Sequence, residues 1–140
     1  MRGSTVVVLA ALVMGVCACD DVSKRYATLQ DAKADDMSAK GWLPEVLPPS
    51  SRDLRISINL DLNVSFGEFH FDPGEFKLLV SRLHPYARSH SPFVNFDDKV
   101  KDFVEDGYPV YEFTEDGSKW VFFCKPDRAV CTYSMWVSRS

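Results

Sequence analysis

The chain has little of what most function classes need. Its 16 Lys and Arg are outnumbered by 20 Asp and Glu, for a net charge of -4, and no stretch gathers the basic residues into a stripe. A nucleic-acid binder draws its affinity from neutralised phosphates, so that class is excluded. Histidine is scarce: His70, His84 and His90 are the three, and no two stand at the i, i+4 spacing of a helical metal site. There is no Gly-x-Ser-x-Gly element and no phosphate-cradling glycine loop. The regular oxygen-ligand spacing of a calcium loop is missing too. No apolar run reaches the roughly 20 residues that a membrane-spanning helix requires. These absences predict a protein that is not an enzyme, with no catalytic set, no metal, no cofactor and no nucleic-acid partner.

What is present is a core. Hydrophobic residues make up 46% of the chain, including 10 Phe, 5 Tyr and 3 Trp, which argues against global disorder. A length of 140 residues suits one domain.

The N-terminus carries an address. Arg2 precedes an apolar run of 11 residues, Val6 to Val16, the length of a signal-peptide core. Val16-Cys17-Ala18-Cys19 closes it. This segment resembles the lipobox of bacterial lipoproteins, with an aliphatic residue at -3, a small residue at -1 and cysteine at +1. Choosing Cys17 instead would put Val16 where a small residue is expected. The resemblance implies diacylglycerol on Cys19 and cleavage before it, leaving 1–18 as signal peptide. Each buried methylene contributes about 0.8 kcal/mol, so two or more acyl chains anchor stably. Asp20 and Asp21 follow, and by resemblance to the enteric sorting signal they imply retention at the periplasmic face of the inner membrane, with the outer membrane as the alternative. Residues 19–40 are polar at first and read as a lipidated tether, with Val22, Tyr26 and Leu29 at helical spacing. The single globular domain is expected over 41–140.

Within it, Pro44, Pro48 and Pro49 forbid regular helix, and Trp42, Leu43, Val46 and Leu47 should lie against the domain. From Arg55 to Phe66 apolar and polar residues alternate strictly, the signature of strand with one buried face. The best division is two antiparallel strands with a turn near Asp61–Asn63. Gly67 interrupts the alternation and predicts a bulge or turn. Asp72-Pro73-Gly74-Glu75 reads as a capped helix start, followed by Phe76, Leu79, Val80 and Leu83 on one face, up to Pro85. A second helix is expected after Asn95, from Phe96, Val100, Phe103 and Val104, ending at Gly107. Its Asp97, Asp98, Asp102, Glu105 and Asp106, interleaved with Lys99 and Lys101, form a solvated face rather than a catalytic pair.

The C-terminal third returns to strand. Tyr111 and Phe113 alternate, and Asp116-Gly117 marks a tight turn. Cys124 and Cys131 flank a turn at Lys125–Arg128, where two cysteines of an exported hairpin can face each other as a disulfide. The order predicts an α+β fold: an antiparallel sheet of about five strands packed on one or two helices, closed by a disulfide hairpin.

Gly41-Trp42-Leu43-Pro44, Leu47-Pro48-Pro49-Ser50, Ile56, Leu60-Asp61-Leu62-Asn63 and Gly67-Phe69-Phe71 together resemble a family of small uncharacterised proteobacterial lipoproteins over most of the mature chain, departing from it at Leu62. The resemblance implies a lipoprotein and adds no mechanism. Trp42, Tyr86, Trp120 and Trp136, with His84 and His90 of the long loop Ser81–Asn95, are the candidate binding surface. The expected function is a non-enzymatic, protein-binding module of the cell envelope, held to the membrane through Cys19. The alternatives are a small-ligand or glycan-binding domain, or an immunity or inhibitor lipoprotein against a periplasmic toxin or hydrolase.

Overall fold

The computed structural model describes residues 21–88 and 90–138. Cys19, Asp20 and the expected leader lie outside them. In chain order the elements are β1 (Asp21–Thr28), α1 (Leu29–Ala34), β2 (Arg52–Asn59), β3 (Val64–His70), α2 (Phe76–Ser81), β4 (His84–Pro85), α3 (Phe96–Glu105), β5 (Val110–Glu115), β6 (Ser118–Lys125) and β7 (Val130–Val137). All seven strands form one sheet in the order β1-β2-β3-β7-β6-β5-β4, with every neighbouring pair antiparallel.

Seven strands replace the expected five. The first addition comes from the stretch read as a tether. Val22 and Tyr26 are four apart, a spacing that fits a helix face and also alternate positions of a strand. With Lys24 between them the alternation is hidden, and both pack on the core as part of β1. Residues ahead of Gly41 thus pair into the sheet through β1. Thr28 ends the strand: its Oγ1 accepts the Asp31 N–H at 3.1 Å and caps α1, while the Leu29 N–H donates to the Ser51 carbonyl at 3.0 Å. The second addition, β4, is two residues of the expected long loop that pair with β5. Three α-helices stand where one or two were expected, because α1 also falls in that tether.

The sheet has two apolar faces. On the first, Leu54, Ile56, Ile58, Phe69, Trp120, Phe122, Tyr133 and Met135 pack under α1, α2 and the proline-rich 37–51 segment, whose Met37, Leu43, Val46 and Leu47 are buried. On the second, Val64, Val110, Val121, Phe123 and Trp136 pack under Phe96 of α3, with Phe93, Val100 and Phe103 beside it. Full burial of each large side chain contributes about 1.5–3 kcal/mol. The start of α2 differs from expectation. A 3-10 turn, Pro73–Glu75, precedes it and no capping box forms. The Asp72 carboxylate instead meets Arg52 at 2.9 Å, and Glu75 accepts the Ser50 N–H at 2.9 Å.

Two buried faces explain the misread strand. Val64 serves the second core while Phe69 and Phe71 serve the first, so the change of phase around Gly67 needs no bulge. Gly67 lies within β3, opposite Ile56 and Tyr133. A Cβ there would fall 2.1 Å from the Tyr133 ring, so glycine is the residue that lets the buried tyrosine cross the strand. The irregularity sits in β2 instead, between Arg52 and Arg55, where Asp53 has φ 50°. The C-terminal hairpin forms as expected: Cys124 and Cys131 face each other across β6 and β7 and are joined. Gly67→Ala must displace the Tyr133 ring, so we expect a loss of about 1–3 kcal/mol in urea unfolding. An unchanged midpoint would show that the ring has room to spare.

Candidate functional site

The structure disperses the expected aromatic surface. Trp120 and Trp136 are 1% and 4% exposed and belong to opposite cores. Trp42 is half-buried against the first core, and Tyr86 half-buried against the second. His84 is exposed on β4, and His90 is exposed beside Pro92 and Trp136. The reason is the small size of the domain: a two-faced sheet has more area to fill than its aliphatic residues supply, and the tryptophans fill it. No group of three His, Cys, Asp or Glu side chains is arranged to hold a metal among the described residues. No described helix is long and apolar enough to cross a membrane.

The Ser81–Asn95 loop is held to the sheet. The Glu112 carboxylate meets Lys119 Nζ at 3.0 Å and accepts the Ala87 N–H at 3.1 Å, and the Tyr86 N–H donates to the Val110 carbonyl at 3.0 Å. Glu112 and Lys119 are mostly shielded from water, which makes this pair worth more than the exposed ones on α3.

Two concave surfaces stand out among the described residues. One is a cleft of about 390 Å³ between the Trp42 segment and the β5–β6 turn, bordered by Lys40, Trp42, Glu45, Glu115 and Trp120. Trp120 Nε1 is buried there without an acceptor. Burial pushes the Glu115 carboxyl above its ordinary value, and the charges of Glu45 and Asp116 add to this, while the Glu45 N–H opposes it from 3.4 Å.

The other surface is broader. Helix α3 covers the β5–β6–β7 half of the second face together with Val64 at the start of β3, and the rest of the β1–β2–β3 half is uncovered among the described residues. A groove of about 400 Å³ runs over it, lined by Arg25, Arg55, Ser57, Phe66, Glu68 and Lys99. Arg25 stands directly opposite Arg55 in the β1–β2 register. Like charges so placed repel, and neither forms an ion pair among the described residues. Lys99 reaches in from α3 over the Phe123 ring, 4.4 Å from its centroid, and burial holds its pKa below the usual lysine value. Phe66, 42% exposed, packs against Phe93 with the rings tilted by 45° and their centroids 4.9 Å apart, at the border of the covered half. Sequence reasoning passed over these residues, although the alternation from Arg55 to Phe66 had already assigned Arg55 and Ser57 to the face opposite Ile56.

Fold and surface together define the class: a small, mostly antiparallel domain of seven strands with a few helices, a disulfide-closed hairpin and one uncovered half-face. The family model of the YbbD head domain, a bacterial family, matches residues 20–70. That similarity covers less than half of the chain, and it coincides with β1, α1, the proline-rich segment, β2 and β3, the half that carries the bare face. No curated protein and no solved structure matches the chain significantly.

The raised Glu115 pKa has a sign that can be checked. The folded state favours the protonated carboxyl, so the stability this confers is full below the ordinary carboxylate pKa. It is lost as pH rises through the raised value. Glu115→Gln should therefore melt higher than the parent at neutral pH and lose that advantage in acid. A parent that melts higher at neutral pH would contradict the assignment.

Proposed function

We propose that this protein is a lipid-anchored, non-enzymatic module of the cell envelope that binds another protein through the bare β1–β2–β3 face. The observation that carries the reading is the charge pattern there. In a chain of net charge -4, Arg25, Arg55 and Lys99 converge on one groove with Glu68 as the carboxylate among its lining. Keeping Arg25 and Arg55 in register costs free energy in the isolated domain. An acidic partner surface would relieve that repulsion, and the half-exposed Phe66 would give it an apolar contact. Strand β1, at the edge of the sheet among the described residues, lies along the same surface and offers an edge for strand addition.

The lipobox-like segment ending at Cys19 supports the anchored reading, with acyl chains on that cysteine, and Asp20 and Asp21 support the periplasmic face of the inner membrane. The test is in-cell crosslinking from a photoreactive residue at Ser57, in the middle of the groove. A discrete protein adduct is expected, strongly reduced by Arg25→Glu with Arg55→Glu in a chain that keeps its circular dichroism and melting temperature. An adduct that survives the double charge reversal, or none at all, would overturn the proposal.

A further inference from the structure

The hairpin between β2 and β3 ends in two leucines that the fold leaves in solvent. Leu60 is 54% exposed and Leu62 70% exposed. Val137, at the end of β7, lies in the same shallow depression as Leu62 and is 47% exposed. Isolated exposed apolar residues need no explanation, but here Leu62 and Val137 share a depression and Leu60 lies in the same turn as Leu62, all at one end of the sheet.

The position of these residues matters. β1 runs antiparallel to β2, and its first residue, Asp21, pairs with Asn59, the residue before Leu60. The Asn59 side chain fastens the two together: its Nδ2 donates to the Asp21 carboxylate at 2.8 Å, and its Oδ1 accepts the Leu62 N–H at 2.9 Å. Cys19 is two residues upstream of Asp21, a reach of at most about 7 Å of extended chain. We propose that this tip, Leu60, Leu62 and Val137, rests on the lipid surface that holds the acylated Cys19, so that the domain stands on its hairpin with the sheet strands rising from the membrane. The inference rests on the lipid-anchored reading above.

The occupant is lipid because the tip is tied to the anchor point; a protein contact would not need that placement. Charge does not supply the attraction. Asp21 and Asp61 stand at the same end, and anionic headgroups would repel them. The contact is therefore apolar and shallow. It orients a protein that the acyl chains already hold, and it leaves the β1–β2–β3 face directed sideways along the membrane plane.

The test uses the full mature protein with Leu62→Cys carrying an environment-sensitive fluorophore. Cys124 and Cys131 are already joined and Cys19 is blocked by its lipid, so the label has one thiol. Asp127→Cys, in the turn at the opposite end of β6 and β7, is the control. In phosphatidylethanolamine–phosphatidylcholine vesicles doped with spin-labelled lipid, strong quenching at residue 62 and little at residue 127 are expected. Equal quenching at both sites would overturn the proposal, as would a blue shift at residue 62 that lipid quenchers leave intact, which marks a protein neighbour. Mass spectrometry of the N-terminal peptide separates the two layers. An acylated Cys19 with an unquenched tip overturns the tip contact alone, whereas an unmodified Cys19 overturns the anchored reading and this inference with it.

Discussion

The pairing of β3 with β7 holds the molecule together. Residues 64–70 meet residues 130–136 in an unbroken antiparallel register, from Val64 opposite Trp136 to His70 opposite Val130. Without that seam the chain would be two small sheets, β1–β2–β3 and β4–β7, each with an open edge. The seam is long-range, so it carries a large loop-closure cost. The two cores offset that cost from both sides: Phe69, Cys131, Tyr133 and Met135 on one face, Val64 and Trp136 on the other. Gly67 is what lets Tyr133 sit across it. The disulfide acts next door, closing the β6–β7 hairpin at the end where its turn lies and fixing β7 against β6.

The uneven cover over the second face follows from this arrangement. Helix α3 is joined to β5 by a few residues and so falls on the β5–β6–β7 half. Among the described residues before β3 ends, 21–70, no helix covers the other side, since α1 and the 37–51 segment both pack on the first face. The strands there meet water with Arg25, Arg55, Ser57 and Glu68. The matched segment, residues 20–70, spans β1 to β3 and so this half-sheet. The function we propose is thus placed where the fold leaves area uncovered, rather than in a cavity.

How much of this was legible in the sequence depends on the local pattern. The hairpin with Cys124 and Cys131, the turn at Asp116-Gly117 and helix Phe96–Glu105 were readable because each is fixed by neighbouring residues. The β2–β3 turn, expected near Asp61–Asn63, lies at residues 60–63 for the same reason. Strand β1 was not, because its pairing partner lies some 30 positions away and its own sequence, Asp-Val-Ser-Lys-Arg-Tyr-Ala-Thr, shows little apolar alternation. Gly67 was misread because its role is defined by Tyr133, a residue far along the chain. Trp120 and Trp136 are buried while Trp42 is half-buried beside the cleft, a difference the sequence does not show because aromatic residues serve cores and interfaces alike.

The account depends most on β1 being a strand of the sheet: it builds the uncovered face, sets Arg25 against Arg55 and brings Asp21, two residues after the proposed anchor, to the hairpin tip. Amide hydrogen exchange on the mature domain tests this directly. The β1 amides that pair with β2 should be protected well above the exchange rate of an unstructured chain, with protection falling only at the strand ends. Exchange across Asp21–Thr28 at the rate of an unstructured peptide would make the segment a tether and contradict the account.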